Sequence, residues 1–239
     1  MNVPDASAAD LAAPPIAHDA LQRVLIQTWF SPAFPIGGFA YSHGLEFAVE
    51  AGSVQDRDSL QLWIGDLLRY GSARTDAAII AAGWHAMRGE GSYTVADIAE
   101  LSAALQPSAE RYLEATTLGR CFMDAVFASW PSPELAESAN INPLTYPTAI
   151  GIAAAAHSIE LTLVLEAFTL AFVSNQTSAA IRLGVIGQTD GQRIIAALLP
   201  DIQAVVAVPH NLEDIGTCTF AADLASIQHE TQYTRLFRS

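Results

Sequence analysis

The sequence contains no lysine: all 11 basic side chains are arginine, set against 25 acidic ones for a formal net charge of -14. That absence excludes a Walker-type phosphate loop and Schiff-base chemistry, both of which need the amine. With no polybasic stretch and a strong negative balance, the chain would be repelled by phosphate backbones and anionic lipid. Neither nucleic acid nor a membrane surface is an expected partner. Cysteine is scarce as well. Cys121 and Cys218 lie far apart and fit no metal-ligand spacing, and a reduced cytosolic pair is a plainer reading than one long-range disulfide. Residues 1–17, which include Pro4, Asp5, Asp10, Pro14 and Pro15, lack the basic start and apolar core of a secretory signal and are expected as a flexible arm. The uncharged runs 24–45 and 138–159 are as long as a membrane span but are broken by prolines, glycines and amides. A soluble, cytoplasmic protein is expected.

What the sequence does have is helical periodicity. Its 239 residues, 51% of them hydrophobic, suffice for one sizeable core. Leu21, Val24, Leu25, Thr28 and Trp29 fall on one helical face, as do Leu60, Trp63, Ile64, Leu67 and Leu68 behind the N-terminal charges Asp56 and Asp58. Leu118, Cys121, Phe122, Ala125 and Val126 repeat the spacing, and Phe220, Leu224, Ile227 and Tyr233 suggest a last helix. The segment 160–173 is apolar nearly all round and predicts a central helix packed on several sides. Sustained two-residue alternation is missing. Val205, Val206 and Val208 would make a short strand, but Pro209 closes it and nothing pairs with it. The expectation is one all-α domain of roughly eight to ten helices over residues 18–229, followed by a tail at 230–239. Loops are marked at 31–38, 89–92, 131–133, 140–147, 184–191 and 209–216.

Four places invite a chemical reading. Ala40-Tyr41-Ser42-His43-Gly44 has the letters of a serine nucleophile elbow without the strand that should precede it, and Ser42 as a helix cap closed by Glu46 is the simpler account. A small serine hydrolase using Ser42 stays as an alternative. The six histidines include no i, i+3 or i, i+4 pair, so no metal site is assigned, although a direct nickel carrier built from His210, Cys218 and His229 is a further alternative. The segment 187–192 has the look of a phosphate loop but no lysine, and reads as a turn capped by Thr189 or Asp190 before a helix from Arg193 to Leu199. Arg182, just upstream, suits bidentate contact with a carboxylate, either internal or on a partner. Finally, Tyr233, Leu236 and Phe237 alternate with Arg235 and Arg238 at the tail. These are interface residue types, and the tail either folds back on its own core or docks on another protein.

Three segments taken together resemble the urease accessory protein UreF family. They are Ser31 to Glu46 with its Pro35-Ile36-Gly37-Gly38-Phe39-Ala40-Tyr41-Ser42-His43-Gly44 run, Ser178 to Leu183 followed by Gly187 to Gln192, and Cys218 to Ser226 followed by His229 to Ser239. Ile227-Gln228 stand where a Met-Arg pair is common, and Val185 where a proline is. The resemblance implies an all-α homodimer without catalytic activity and without a cofactor of its own. It implies that the chain joins UreH (also called UreD) and the GTPase UreG, docks on apo-urease, and couples GTP hydrolysis to nickel insertion. Carried over by position, Phe39, Tyr41 and Arg182 are candidates for the dimer and GTPase side. Tyr233, Arg235, Leu236, Phe237 and Arg238 are candidates for the UreH-binding tail.

Overall fold

The computed structural model describes residues 18–138, 140–208 and 210–239, and the arm expected over residues 1–17 lies outside them. Among the described residues the chain is all-α. In order the helices are α1 (His18–Trp29), α2 (Leu45–Glu50), α3 (Arg57–Tyr70), α4 (Ser72–Met87), α5 (Val95–Ala104) and α6 (Ala109–Ser129). They continue as α7 (Pro133–Ser138), α8 (Tyr146–Ala156), α9 (Leu161–Arg182), α10 (Gln188–Ala197), α11 (Leu199–Ala207) and α12 (Phe220–His229), with 3-10 turns at Gly38–Ala40 and Leu212–Asp214. Among the described residues the expected eight to ten helices become twelve, because α2 and α7, each of 6 residues, carry too few turns to leave a periodic trace.

Helix starts follow local chemistry. Asp56 caps α3 by accepting from the N–H of Ser59, whose side chain returns to the cap, and Thr94 with Asp97 builds the same reciprocal box at α5. The core forms where α8 and α9 cross α4 and α6. From Pro147 to Ala155 every residue of α8 is buried, and α9 encloses Val164, Leu165, Phe168, Phe172 and Val173 as the apolar run predicted. Small residues set the close α4–α8 approach. A Cβ on Gly151 would lie 2.4 Å from the carbonyl oxygen of Ile80, so the two backbones touch only because it is absent. The ring of Trp29 closes the α1 end, edge-on to Phe122 and His157 at centroid distances of 5.6 and 5.4 Å.

Several local expectations change. Val205 and Val206 lie in α11 rather than in a strand. Helix α10 starts at Gln188 with Gly187 as its N-cap, so Thr189 and Asp190 are inside the first turn and do not cap it. In α1, Leu25 and Trp29 are buried but Leu21 and Val24 are exposed, because Gln22 turns inward and donates its amide to the Ser158 carbonyl at 2.9 Å. The largest reversal is α12. Its apolar stripe faces out, with Phe220, Leu224 and Ile227 exposed at 71%, 40% and 47%, while Ala222, Ala225, Ser226 and His229 face in. Here too a close approach selects the face. Gly44, at φ +78, would carry a Cβ only 2.8 Å from the Ser226 nitrogen, and no large side chain of α12 fits between them.

Candidate partner-binding surface

The segment 37–46 is bent by its backbone. Gly37 is left-handed at φ 76, Phe39 projects from the following 3-10 turn with 71% exposure, and His43 and Gly44 at φ 57 and 78 reverse the chain before α2. That reversal turns the backbone of Ala40 and Ser42 toward the C-terminal segment. The N–H of Arg238 donates to the Ala40 carbonyl at 2.8 Å, and both the N–H and the hydroxyl of Ser42 donate to the main-chain oxygen of Ser239, at 2.7 and 2.6 Å. Residues 235–239 therefore lie against the body of the protein, one continuous piece with it.

Three carboxylates hold them there. Glu46 of α2 accepts the N–H of Leu236 at 2.6 Å and that of Phe237 at 2.9 Å. Glu110 of α6 faces Arg235 at 2.5 Å and the Nδ1 of His229 at 2.6 Å, while the Nε2 of the same fully buried ring faces Glu46 at 3.1 Å. Glu114, one turn further along α6, meets the Nε2 of His43 at 2.8 Å, Arg111 at 2.5 Å and the hydroxyl of Ser239. Burial alone would push the Glu114 carboxyl up, but the Arg111 guanidinium, His43 and the Ser239 hydroxyl bring it down to about 2. Burial, with the charge of Arg111 adding to it, moves His43 below its ordinary value against the pull of Glu114. On α4, burial pushes Asp76 up to about 7 despite Arg111, with Glu114 adding to the rise.

Several of the candidate partner-binding residues meet around Arg182. Arg182 ends α9, donates to the Phe39 carbonyl and stacks its guanidinium 4.3 Å over the ring of Phe237. Its contact is thus a carbonyl and an aromatic face, where a carboxylate was expected. Phe237 differs from the expectation of a partner-facing ring, being only 4% exposed, and Tyr41 is buried too. Facing outward are Phe39, Tyr233 and Leu236, with Arg238 beside them. The α12 stripe of Phe220, Leu224 and Ile227 is exposed as well. On the same helix, the inward Ser226 hydrogen-bonds Ser108 ahead of α6.

The alternatives raised by the sequence are not assembled. Ser42 accepts from the N–H of Glu46 at 3.2 Å but does not cap α2, whose N-cap is Gly44, and the Glu46 carboxylate serves the tail instead of closing a capping box. Ser42 is fully buried and its hydroxyl hydrogen points at a carbonyl, while His43 is turned to Glu114, so no base stands beside it. Among the described residues no group of three or more His, Cys, Asp or Glu is placed to hold a metal ion. His229 is held between two glutamates, and Cys218, like Cys121, is a free thiol. A surface cavity of about 480 Å³ between α1 and α6, lined by Val24, Thr28, Phe34, Pro35 and Trp130 among others, carries no ionisable side chain. Among the described residues no helix is long and apolar enough to cross a membrane.

The amino-acid sequence has relatives among known proteins. Residues 54–199 match the family model described as UreF. The chain is 50% identical over 216 residues to the urease accessory protein UreF of Xanthobacter autotrophicus, covering 88% of each chain. It is 48% identical over 225 residues to that of Bradyrhizobium sp., covering 93% of each, and 46% identical over 241 residues to that of Rhodopseudomonas palustris strain HaA2, covering 99% of this chain and 100% of the relative.

Proposed function

This chain belongs to the UreF family of urease accessory proteins, and we propose that its part in urease maturation is that of a non-catalytic bridge between UreH and the GTPase UreG. In this reading it forms a homodimer, docks with both partners on apo-urease, and couples GTP hydrolysis to the insertion of nickel, which is cargo and not a resident cofactor. The observation that carries the reading is the folded-back tail. It presents Tyr233, Leu236 and Arg238 outward, and its Phe237 and Arg238 meet Arg182 and the turn that carries Phe39. Exposed aromatic and arginine side chains are the types that dominate interface hot spots.

A protein that works in this way acts by differential contact, favouring one state of the GTPase over another. Arg182 supports that reading through position, since its guanidinium is already engaged by Phe39 and Phe237 and orients the turn that carries Phe39. We assign it this positioning role in preference to that of an arginine finger. The test is co-purification of the tagged chain with UreG, UreH and apo-urease, with masses read by light scattering and GTP turnover followed alongside. The expected result is a complex containing two copies of this chain, with nucleotide turnover strictly dependent on UreG. Turnover by the chain alone, or a monomer that retains neither partner, would overturn the reading.

A further inference from the structure

The site that receives residues 235–239 has the features of a peptide-binding groove. Most of its contacts are to main chain. Two consecutive N–H groups go to Glu46, the N–H of Arg238 goes to the Ala40 carbonyl, and the Ser239 oxygen takes two donors from Ser42. Side chains are read at three points only: the arginine at Glu110, the aromatic ring under Arg182, and the hydroxyl at Glu114. Main-chain registration of a bent segment, with side chains read at a few spaced points, is a means of peptide recognition.

The groove also differs from a core in what its emptying would uncover. Phe237 is the one buried apolar side chain among residues 230–239. Beneath the rest lie carboxylates, a serine hydroxyl and imidazoles, groups that water solvates well. The connecting residues Tyr233 and Thr234 are exposed and belong to no helix. We propose that the wall formed by residues 40–46, Glu110, Glu114 and Arg182 is a specific site for an Arg-apolar-aromatic-Arg-Ser segment bent at its second and third residues, which the chain's own tail occupies as a replaceable ligand. The occupant competing with it is the same segment of a second copy. This goes beyond the maturation role and does not depend on which partner meets the outward face.

The test keeps the full chain and weakens only its own tail. Leu236 is exposed, so Leu236→Pro removes the N–H donated to Glu46 without leaving a cavity, whereas Leu236→Ala keeps that donor. A fluorescein-labelled peptide of residues 231–239 is titrated into wild type and both variants and followed by anisotropy. An attached tail competes at an effective concentration of order millimolar, so the peptide should bind Leu236→Pro at least about tenfold more tightly than wild type or Leu236→Ala. A peptide that itself carries Leu236→Pro should fail to bind. If Leu236→Pro loses its helical dichroism, Arg235→Ala, which removes the Glu110 contact, takes its place with the same expected order. Absence of saturable binding to the weakened-tail protein, equal binding by all proteins, or undiminished binding of the proline peptide would overturn the proposal.

Discussion

Replacing Glu46 with glutamine tests the tail anchorage at its centre. The carboxylate is 7% exposed, accepts two main-chain N–H groups at 2.6 and 2.9 Å, and faces the His229 ring at 3.1 Å. Hydrogen bonds to a charged acceptor contribute about 1.5–3 kcal/mol each, against about 1 kcal/mol for neutral ones. Glutamine keeps one oxygen, so one N–H retains a weaker bond and the other meets an amide donor. The expected net loss is about 2 kcal/mol, which is roughly 30-fold in a local opening equilibrium. The loss concerns residues 235–239 and leaves the α4–α8–α9 core intact, so it is local. Hydrogen exchange should therefore speed up roughly 30-fold at the Leu236 and Phe237 amides, while amides of α8 keep their protection. Unchanged exchange at those two positions would refute the assignment of Glu46 as the clamp.

Other consequences are as specific. Phe237→Ala removes the tail's one buried ring and the Arg182 stack and should cost about 3 kcal/mol in tail docking, seen as faster proteolysis after Arg235; Phe237→Leu should recover most of it. Gly151→Ala pushes a methyl onto the Ile80 carbonyl, a backbone atom that cannot step aside, and should lower the melting temperature by about 5 °C. Asp76, raised to about 7 from 3.8, penalises the folded state once it ionises: the penalty is complete above about pH 7 and fades as pH falls toward 4. Thermal melts should therefore find Asp76→Asn more stable than wild type at pH 8, with the two converging near pH 4. Glu114 runs the other way. Its depression to about 2 from 4.5 stabilises the fold above about pH 4.5, and that contribution is lost as pH falls toward about 2. Glu114→Gln should be clearly less stable than wild type at pH 7 and approach it in acid.

The helices most legible in the sequence were those buried on one side. In α3, Leu60, Ile64, Leu67 and Leu68 announce the inward face because polar residues mark the other. Helix α8 gave no such sign. It is enclosed all round, so its alanines and isoleucines have no polar face to set a period, and its start was read as the end of a loop. Helix α12 was found but its orientation was not, since an apolar stripe is ordinarily taken to face the core. Here the small residues Ala222, Ala225 and Ser226 fit under Gly44, and the stripe is left outside. The tail was singled out by its aromatic and arginine content, yet composition left open whether it folds back. Its anchors explain why, since His229 lies 183 positions from Glu46 and 119 from Glu110, beyond any local pattern.

The proposed bridging role rests on the outward side chains of the tail, which the groove beneath holds against the body of the protein. Tyr233, Leu236 and Arg238 are exposed, so replacing all three with alanine should leave helical dichroism and melting temperature nearly unchanged. The decisive measurement is the amount of UreH retained by tagged wild type and by this triple variant at equal loading. Retention should fall at least about tenfold in the variant; retention equal to wild type would rule out the tail as the contact with UreH.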